Sequence, residues 1–374
     1  MLSALYNYLF IIFLLFFLTR KLSYKYFELS RKEFLVSFCY HFSLTLVFLF
    51  LFKNQPADYK HYLELKHIKS FNIIHSFGSS EIIYNFIKLF KNLFFFNNLN
   101  IIFLFSSISY FGILIFIKNL IQMGVDKKIA SLIFFIPGIH FWTSLPGKDC
   151  FVLFFLSFFF YMYINKKLIF SLFFIFIVLL IRPQIGIIFL FSIFLTEFFL
   201  LKGHKKFIVL LFSPIIFYFI LNSTITSGYL LDPNVFSDNL IYQMLGKINE
   251  LTLKFNNSDS YYEINNLFFN IFNYLVFPTD FMLKQNSLVV NLTIFVEIIS
   301  LIFFINLLIN HQKKFKIEKK LIYFLSIIAL VYLMILPQAL FNFGINIRQK
   351  WMIIPFLIYL SFLLKNLFVK RKKI

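Results

Sequence analysis

Long apolar runs, separated by short polar segments, constrain this chain more than any other feature. A helix that crosses a bilayer needs about 20 apolar residues. The chain of 374 residues is 60% hydrophobic and 14% charged, whereas soluble domains carry about 25% charged residues. We therefore predict an all-α, polytopic transmembrane bundle of about eleven helices that forms a single integral membrane domain over residues 1–374, and we exclude a soluble enzyme, a disordered chain and a DNA-binding protein. The predicted helices span about 4–19, 34–52, 99–117, 129–145, 150–164, 168–181, 184–201, 206–222, 288–309, 321–341 and 351–368.

Basic residues are concentrated in alternate connections between these helices. Short loops rich in Lys and Arg remain in the cytoplasm, so we assign the connection 20–33 to that side. Alternation of eleven helices then places 23 of the 36 Lys and Arg residues, and +18 of the net charge of +20, in the cytoplasm. The N-terminus is expected outside and the C-terminus inside. Membrane sidedness explains the positive charge, and nucleic acid is not an expected partner.

Two long segments are expected on the outer side, at about 53–98 and 223–287. Chemistry is expected on this side, because it holds the only two long loops. Within the second loop, residues 267–277 fit either an amphipathic helix on the outer interface or a packed loop helix.

Three short outer connections carry charges at helix ends, where the membrane disfavours them. They are 137–149, which holds two Pro and two Gly that loosen the helix end, 182–184 and 342–350. Arg and Lys suit a phosphate group, and these connections supply a candidate anion site. Alternatively, each basic side chain reaches the lipid headgroups or pairs with an acid such as Asp149. The four candidate binding residues are Lys148, Arg182, Arg348 and Lys350.

Two carboxylates and one histidine on the outer side are candidate catalytic bases. Asp58 and His61 begin the first long loop, and Asp149 directly follows Lys148. Such a group accepts a proton from a hydroxyl that lies within hydrogen-bond reach. The alternative for Asp58 is a solvated loop acid. For Asp149 the alternatives are neutralisation of Lys148 and capping of the next helix.

His140 and Trp142 lie in the first broken connection and are candidate glycan-binding residues. Trp142 fits a sugar-stacking platform or an interfacial anchor, and His140 also fits a packing or interfacial role. Cys39 and Cys150 lack metal-ligand spacing, so neither a metal site nor a disulfide framework is predicted. The chain contains no P-loop or dinucleotide fingerprint, and no cofactor is expected.

Several segments resemble a family of bacterial membrane proteins encoded in surface-polysaccharide gene clusters, the O-antigen or oligosaccharide repeat-unit polymerases. Residues 137–149 resemble their Pro-Ser-x-x-Phe-Trp-Ser-Ser-x-x-x-Lys-Asp segment, and residues 342–350 resemble the segment before their last helix. The Asp58-x-x-x-Tyr62 loop and the stretch from Phe277-Pro278 to Glu297 are also similar. The resemblance covers most of the chain in order and spacing.

The chain departs from the family pattern at Gly138, which replaces the usual Ser, and at Pro146-Gly147 before the Lys. The resemblance implies a lipid-linked oligosaccharide on a polyprenyl pyrophosphate carrier as the substrate. It implies glycosyl transfer without a nucleotide sugar, at the outer face of the bacterial inner membrane. Membrane lipids and other polysaccharide-assembly proteins are the implied partners. A similar layout occurs in GT-C glycosyltransferases, and these motifs do not separate the two groups.

The expected function is a membrane-embedded glycan polymerase or glycosyltransferase in surface-polysaccharide biosynthesis. The basic cluster would stabilise the negative charge that develops on a leaving pyrophosphate, and Asp58 or Asp149 would activate the acceptor hydroxyl. The alternative is a transporter or flippase for the same lipid-linked glycan. Transporters usually bind substrate near the bilayer midplane on broken helices, whereas the basic residues here are expected at one face.

Overall fold

The structure is a computed structural model, and its regular secondary structure is helical in the residues that it describes, with no β-strand among them. The described residues are 2–27, 29–51, 58–64, 81–200, 319–339 and 352–361, with the single positions 299, 302 and 306. The predicted helices 206–222 and 288–309, the outer loop 223–287 and the C-terminal tail lie wholly or largely outside this part of the chain.

The helices are numbered in chain order as the described residues present them, with a single 3₁₀ turn at Leu132–Phe135. They are α1 (Leu2–Phe27), α2 (Arg31–Leu51), α3 (Asp58–Glu64), α4 (Glu81–Phe94), α5 (Asn98–Gln122), α6 (Lys127–Ser131), α7 (Pro137–Thr143), α8 (Lys148–Ile164), α9 (Leu168–Ile181), α10 (Pro183–Leu200), α11 (Lys319–Ala339) and α12 (Met352–Ser361).

Three of the described helices are long and apolar enough to cross a membrane, namely Arg31–Phe50, Asn98–Gln122 and Pro183–Leu200. The all-α prediction is confirmed for the described residues. The number of eleven helices and the sidedness of the membrane stay predictions, as does the single membrane domain. Two compact units divide the chain: the described part of the first contains α1 to α9 and Arg182, and that of the second begins at Pro183.

In the first unit, α5 is central and packs against α8 in the same direction. The Cys150 thiol of α8 donates a hydrogen bond to the Phe105 carbonyl of α5 at 3.1 Å. Further along, the side-chain amide of Asn119 donates to the Ser157 carbonyl at 3.0 Å. Because residue numbers rise together in the two contacts, α5 and α8 are parallel.

Helices α2 and α9 run in the opposite direction to α5 and α8. The hydroxyl groups of Ser37 and Tyr110 lie 2.9 Å apart, and His41 Nε2 lies 2.9 Å from the Ser106 carbonyl oxygen. Residue numbers rise on α2 as they fall on α5, so these two helices are antiparallel. A tight turn over residues 165–167 likewise returns α9 along α8.

Gly112 lies at a close contact between α5 and α8. A Cβ atom at this position would lie 3.1 Å from the Phe154 Cα atom and 3.2 Å from its backbone nitrogen. Small residues allow helix backbones to approach this closely within a membrane. The close contact therefore depends on the absence of a side chain at residue 112.

The predicted helix 129–145 is broken in the structure. The chain forms α6, the 3₁₀ turn, an extended Ile136 at φ −81° and ψ 109°, and then α7. Pro137 explains the break, because proline has no N–H to donate and disfavours the helical conformation of the residue before it. Since α5 and α8 are parallel, this broken segment, residues 127–143, is what returns the chain between them.

The first unit has two chemically different ends. At one end, Lys127 pairs with Glu33 at 3.4 Å, and the Asn165 side chain contacts Gln122 at 3.5 Å. This end carries the basic segments that were assigned to the cytoplasm, including Lys127, Lys128, Lys166 and Lys167. The beginning of α8 and the end of α9 lie at the other end. Which side of a membrane each end faces stays a prediction.

The predicted outer loop 53–98 contains two helices, α3 and α4, in its described part. The Ile83, Tyr84 and Ile87 side chains of α4 are buried, and apolar residues at this spacing form one face of an amphipathic helix. The Tyr62 ring of α3 packs against the Tyr84 ring, with centroids 5.0 Å apart. The loop is thus a folded element, although no helix was predicted within 53–98.

Lys91 connects α4 to α3 and α5 through hydrogen bonds. Its ammonium group donates to the Leu63 carbonyl and to Asn98 Oδ1, each at 2.7 Å. Partial burial lowers the pKa of this side chain below the usual lysine range. Lys91 therefore joins the end of α3 to the start of α5.

We expect Lys91→Met to loosen α3 and α4 by about 1–2 kcal/mol, because it removes two hydrogen bonds from a charged donor. Amide hydrogen exchange over residues 81–94 should rise by about tenfold. Lys88→Met on the exposed face of α4 is the matched control. Equal exchange in the two variants would contradict the proposed attachment.

In the second unit, α10 packs against α11, and α12 contacts α10. Lys320 at the start of α11 forms an ion pair with Glu197 near the end of α10. The Phe189 and Phe356 rings meet edge to face with centroids 4.8 Å apart. Both members of the ion pair come from segments that were assigned to the same side of the membrane.

Candidate functional site

The candidate site is built where α8 begins and α9 ends. Gly147 is extended at φ 172°, and Lys148 starts α8, which places Asp149 in the first helical turn. A carboxylate is favourable there because the N-terminus of a helix carries partial positive charge. At the other side of the hairpin, Arg182 is extended at φ −136° and ψ 85°, as expected for the residue before Pro183.

The α8–α9 hairpin brings Asp149 and Arg182 together. Arg182 Nη2 donates to Asp149 Oδ1 at 2.5 Å, and the two side chains are 14% and 8% exposed. Arg182 Nε is also buried and has no hydrogen-bond partner among the described residues. The guanidinium group therefore has one buried N–H that an oxygen acceptor would satisfy.

This geometry gives the surroundings of two of the four predicted anion-binding residues, Lys148 and Arg182. Lys148, Asp149 and Arg182 lie at the same end of the hairpin, and Lys148 is half-buried. Arg182 is paired with Asp149, which is the ion-pair alternative that the sequence left open. Arg348 and Lys350 lie outside the described residues, so the four-membered cluster stays a prediction.

Helix α4 lies against the start of α8. The Phe86 ring meets the Phe151 ring edge to face with centroids 4.9 Å apart, and it also contacts the Phe105 ring at 5.7 Å. Phe151 is two residues beyond Asp149. The folded part of the first predicted outer loop therefore lies beside the end of the bundle that carries the ion pair.

The two candidate bases of that loop lie on α3. Asp58 is its first residue, and His61 is exposed one turn later. Tyr59 and Tyr62 anchor the helix through buried side chains, and burial raises the pKa of the Tyr59 phenol. The helix thus presents His61 to its surroundings, and the catalytic roles of Asp58 and His61 stay predictions.

His140 has a different setting from the one expected at an outer surface. Its side chain is fully buried, with Nδ1 2.6 Å from His41 Nδ1 and Nε2 2.6 Å from the Phe134 carbonyl oxygen. This placement matches the packing role that the sequence also allowed. The side chain of Trp142 lies outside the described residues, so its role as a glycan platform stays a prediction.

A buried polar cluster around this histidine was missed by the sequence reasoning. The hydroxyl groups of Thr45 and Ser106 lie 3.0 Å apart, and those of Ser109 and Thr143 lie 2.6 Å apart. A signal was present, since His41 and Thr45 are four residues apart in a largely apolar stretch of α2 and thus share a face. Polar groups in a membrane helix usually face the protein interior.

No protein-family model, curated protein or solved structure matches this chain.

Proposed function

We propose that the protein is a glycan polymerase or glycosyltransferase of the bacterial inner membrane, acting at the outer face on oligosaccharides linked to a polyprenyl pyrophosphate carrier. The observation that carries the proposal is the buried Asp149–Arg182 pair with its unsatisfied Arg182 Nε–H. The resemblance of residues 137–149 to repeat-unit polymerases supports it. The position of the pair, at the end of the bundle opposite the basic connections, is also consistent with an outer site.

The reaction moves a glycosyl group from pyrophosphate to an acceptor hydroxyl. The bond between the anomeric carbon and the pyrophosphate oxygen breaks, and the acceptor oxygen forms the new glycosidic bond. The acceptor proton passes to a carboxylate, for which Asp58 and Asp149 are the candidates. Arg182, with Lys148 on the neighbouring helix, stabilises the charge on the departing pyrophosphate.

Arg182 suits this role because it is held in place before the substrate arrives. Asp149 fixes one side of the guanidinium group, and burial strengthens the electrostatic interactions of the remaining N–H groups. A preorganised donor of this kind needs no rearrangement as charge develops. Asp149 is in this respect a positioning residue for Arg182.

Reconstitution in liposomes with polyprenyl-pyrophosphate-linked repeat units tests the proposal. We expect Arg182→Lys, which keeps the charge but loses the planar fork, and Lys148→Gln to reduce glycan chain extension by about 10²-fold. Lys167→Gln at the opposite end of the bundle is the matched control. Undiminished chain extension in the folded Arg182→Lys and Lys148→Gln variants would refute the assignment.

A transporter for the same lipid-linked glycan is the second candidate, and the broken segment 127–143 favours it. Substrate sites of transporters are typically formed by discontinuous helices. The liposome assay separates the two functions, because a transporter moves repeat units between leaflets without lengthening them. Accumulation of unextended units on the cytoplasmic leaflet of cells that carry Arg182→Lys would favour transport.

A further inference from the structure

The buried histidine pair has a hydrogen-bond geometry that fixes how many protons it carries. His41 lies in α2 and His140 in α7, and both side chains are 0% exposed. Their Nδ1 atoms lie 2.6 Å apart. Their Nε2 atoms face carbonyl oxygens, His41 at 2.9 Å from Ser106 and His140 at 2.6 Å from Phe134.

Counting donors shows that two neutral rings do not satisfy these contacts. A carbonyl oxygen only accepts, so both Nε2 atoms must carry a hydrogen. A neutral imidazole has a single N–H, and two neutral rings would then oppose two bare lone pairs across the Nδ1 contact. A third proton between the Nδ1 atoms converts this repulsion into a charge-assisted hydrogen bond.

We propose that His41 and His140 form a proton-binding site, in which one proton shared between their Nδ1 atoms joins α2 to the broken segment 127–143. The pair then carries a single positive charge as an imidazole–imidazolium couple. This site is separate from the proposed transfer chemistry, because neither ring faces the Asp149–Arg182 pair in the contacts described.

The surroundings reduce the cost of burying this charge. Burial opposes a charged ring, but the two carbonyl dipoles point their negative ends at the Nε2 hydrogens. Aromatic rings also enclose the pair, with Tyr40 at 5.3 Å and Phe134 at 5.0 Å from His140, and Tyr110 at 5.8 Å from His41. A cation that lies over the face of an aromatic ring within about 6 Å of its centroid gains stabilisation, and these rings lie within that distance.

Few charged groups belong to the described elements packed around the pair. Tyr40 and Tyr110 are the titratable groups with rings in contact. The acid on α8 is Asp149, adjacent to the Cys150 that bonds to Phe105, and it is neutralised by Arg182. The charged residues on α2, α5 and α6 are Arg31, Lys32, Glu33, Lys118, Lys127 and Lys128, all toward the opposite end of the unit.

Loss of the shared proton should weaken the attachment of α7 to α2. Removing it transfers the proton to solvent and leaves the two Nδ1 lone pairs facing each other at close range. The contact that holds α2 to α7 then becomes repulsive, so α7 should loosen as the pH rises through the loss of this proton. The site thereby makes the attachment of the broken segment depend on pH.

Nitrogen NMR of the full-length protein, labelled with ¹⁵N-histidine in detergent micelles at neutral pH, tests the proposal. We expect one hydrogen signal far downfield of ordinary imidazole signals and coupled to two Nδ1 nuclei, and it should vanish in His41→Asn or His140→Asn. His61→Asn, at the exposed histidine of α3, should leave it unchanged. Two unprotonated Nδ1 atoms in the wild-type spectrum would overturn the proposal without reliance on any variant.

Two further measurements test whether a metal ion is bound and whether α7 loosens when the proton is lost. Elemental analysis should find less than one transition-metal ion per chain, and chelator treatment should leave the histidine spectrum unchanged. When the shared signal is lost at raised pH, hydrogen exchange over residues 137–143 should accelerate by about tenfold, with little change over residues 150–164. A bound metal ion, or exchange independent of the signal, would overturn it.

Discussion

Replacing Arg182 with Met should destabilise the first unit by about 3–5 kcal/mol, because the substitution leaves the Asp149 carboxylate buried without its charge partner. The side chains are 14% and 8% exposed, so water cannot compensate fully. Asp149→Asn should have a similar effect for the converse reason. Reversible unfolding in mixed micelles, followed by circular dichroism, measures the loss.

The neutral double variant Asp149→Asn with Arg182→Gln is the control for this prediction. It removes both charges and keeps polar side chains of similar reach, so it should lose less stability than either single variant. The double variant should still lack chain extension, since it has no guanidinium group for the pyrophosphate. Losses that add across the two sites would contradict a direct ion pair.

Gly112→Leu should separate α5 from α8, with an expected net loss of about 2 kcal/mol or more. A Cβ at this site would meet the Phe154 backbone at 3.1 and 3.2 Å, and a backbone cannot rotate away as a side chain can. Overpacking costs about 1–3 kcal/mol and occasionally more, and the added γ and δ carbons place this site at the upper end. The better helix propensity of Leu returns about 1 kcal/mol.

Gly147→Ala is the matched control for Gly112→Leu. A Cβ at residue 147 would meet only the Leu145 carbonyl oxygen at 3.9 Å, and the extended φ of 172° suits any residue. The control variant should unfold like the wild type, as measured by the same micelle titration. Similar losses for the two variants would show that the α5–α8 contact is looser than its geometry indicates.

The amino-acid sequence was sufficient to predict most of the regular helices in the described regions. The α9 bounds Leu168–Ile181 agree with the predicted 168–181, because basic residues and Arg182-Pro183 flank an unbroken apolar run. It failed at 129–145, because the predicted helix runs through Ile136 and Pro137 although Pro137 and Gly138 were recognised as loosening the helix there. Hydropathy counts Ile136 and Pro137 as compatible with a span, but the conformation that proline imposes on Ile136 interrupts the helix.

The sequence indicated which charged residues form the candidate site, but it did not indicate which of them pair with each other. The lone Arg182 and the Lys148-Asp149 step stand out as charges at the ends of apolar runs. Their partnership depends on the α8–α9 hairpin, since 33 positions separate Asp149 from Arg182. The His41–His140 contact spans 99 positions between elements that are not consecutive, and no local pattern indicates such a pairing.

The parallel arrangement of α5 and α8 has a consequence for biosynthesis at the translocon. In the predicted topology the segment between them enters the bilayer, yet it is broken at Ile136 and carries the buried side chains of His140 and Thr143. Such a segment has little tendency to partition into lipid alone. We therefore expect its insertion to depend on α2 and α5, which precede it in the chain and offer partners for those groups.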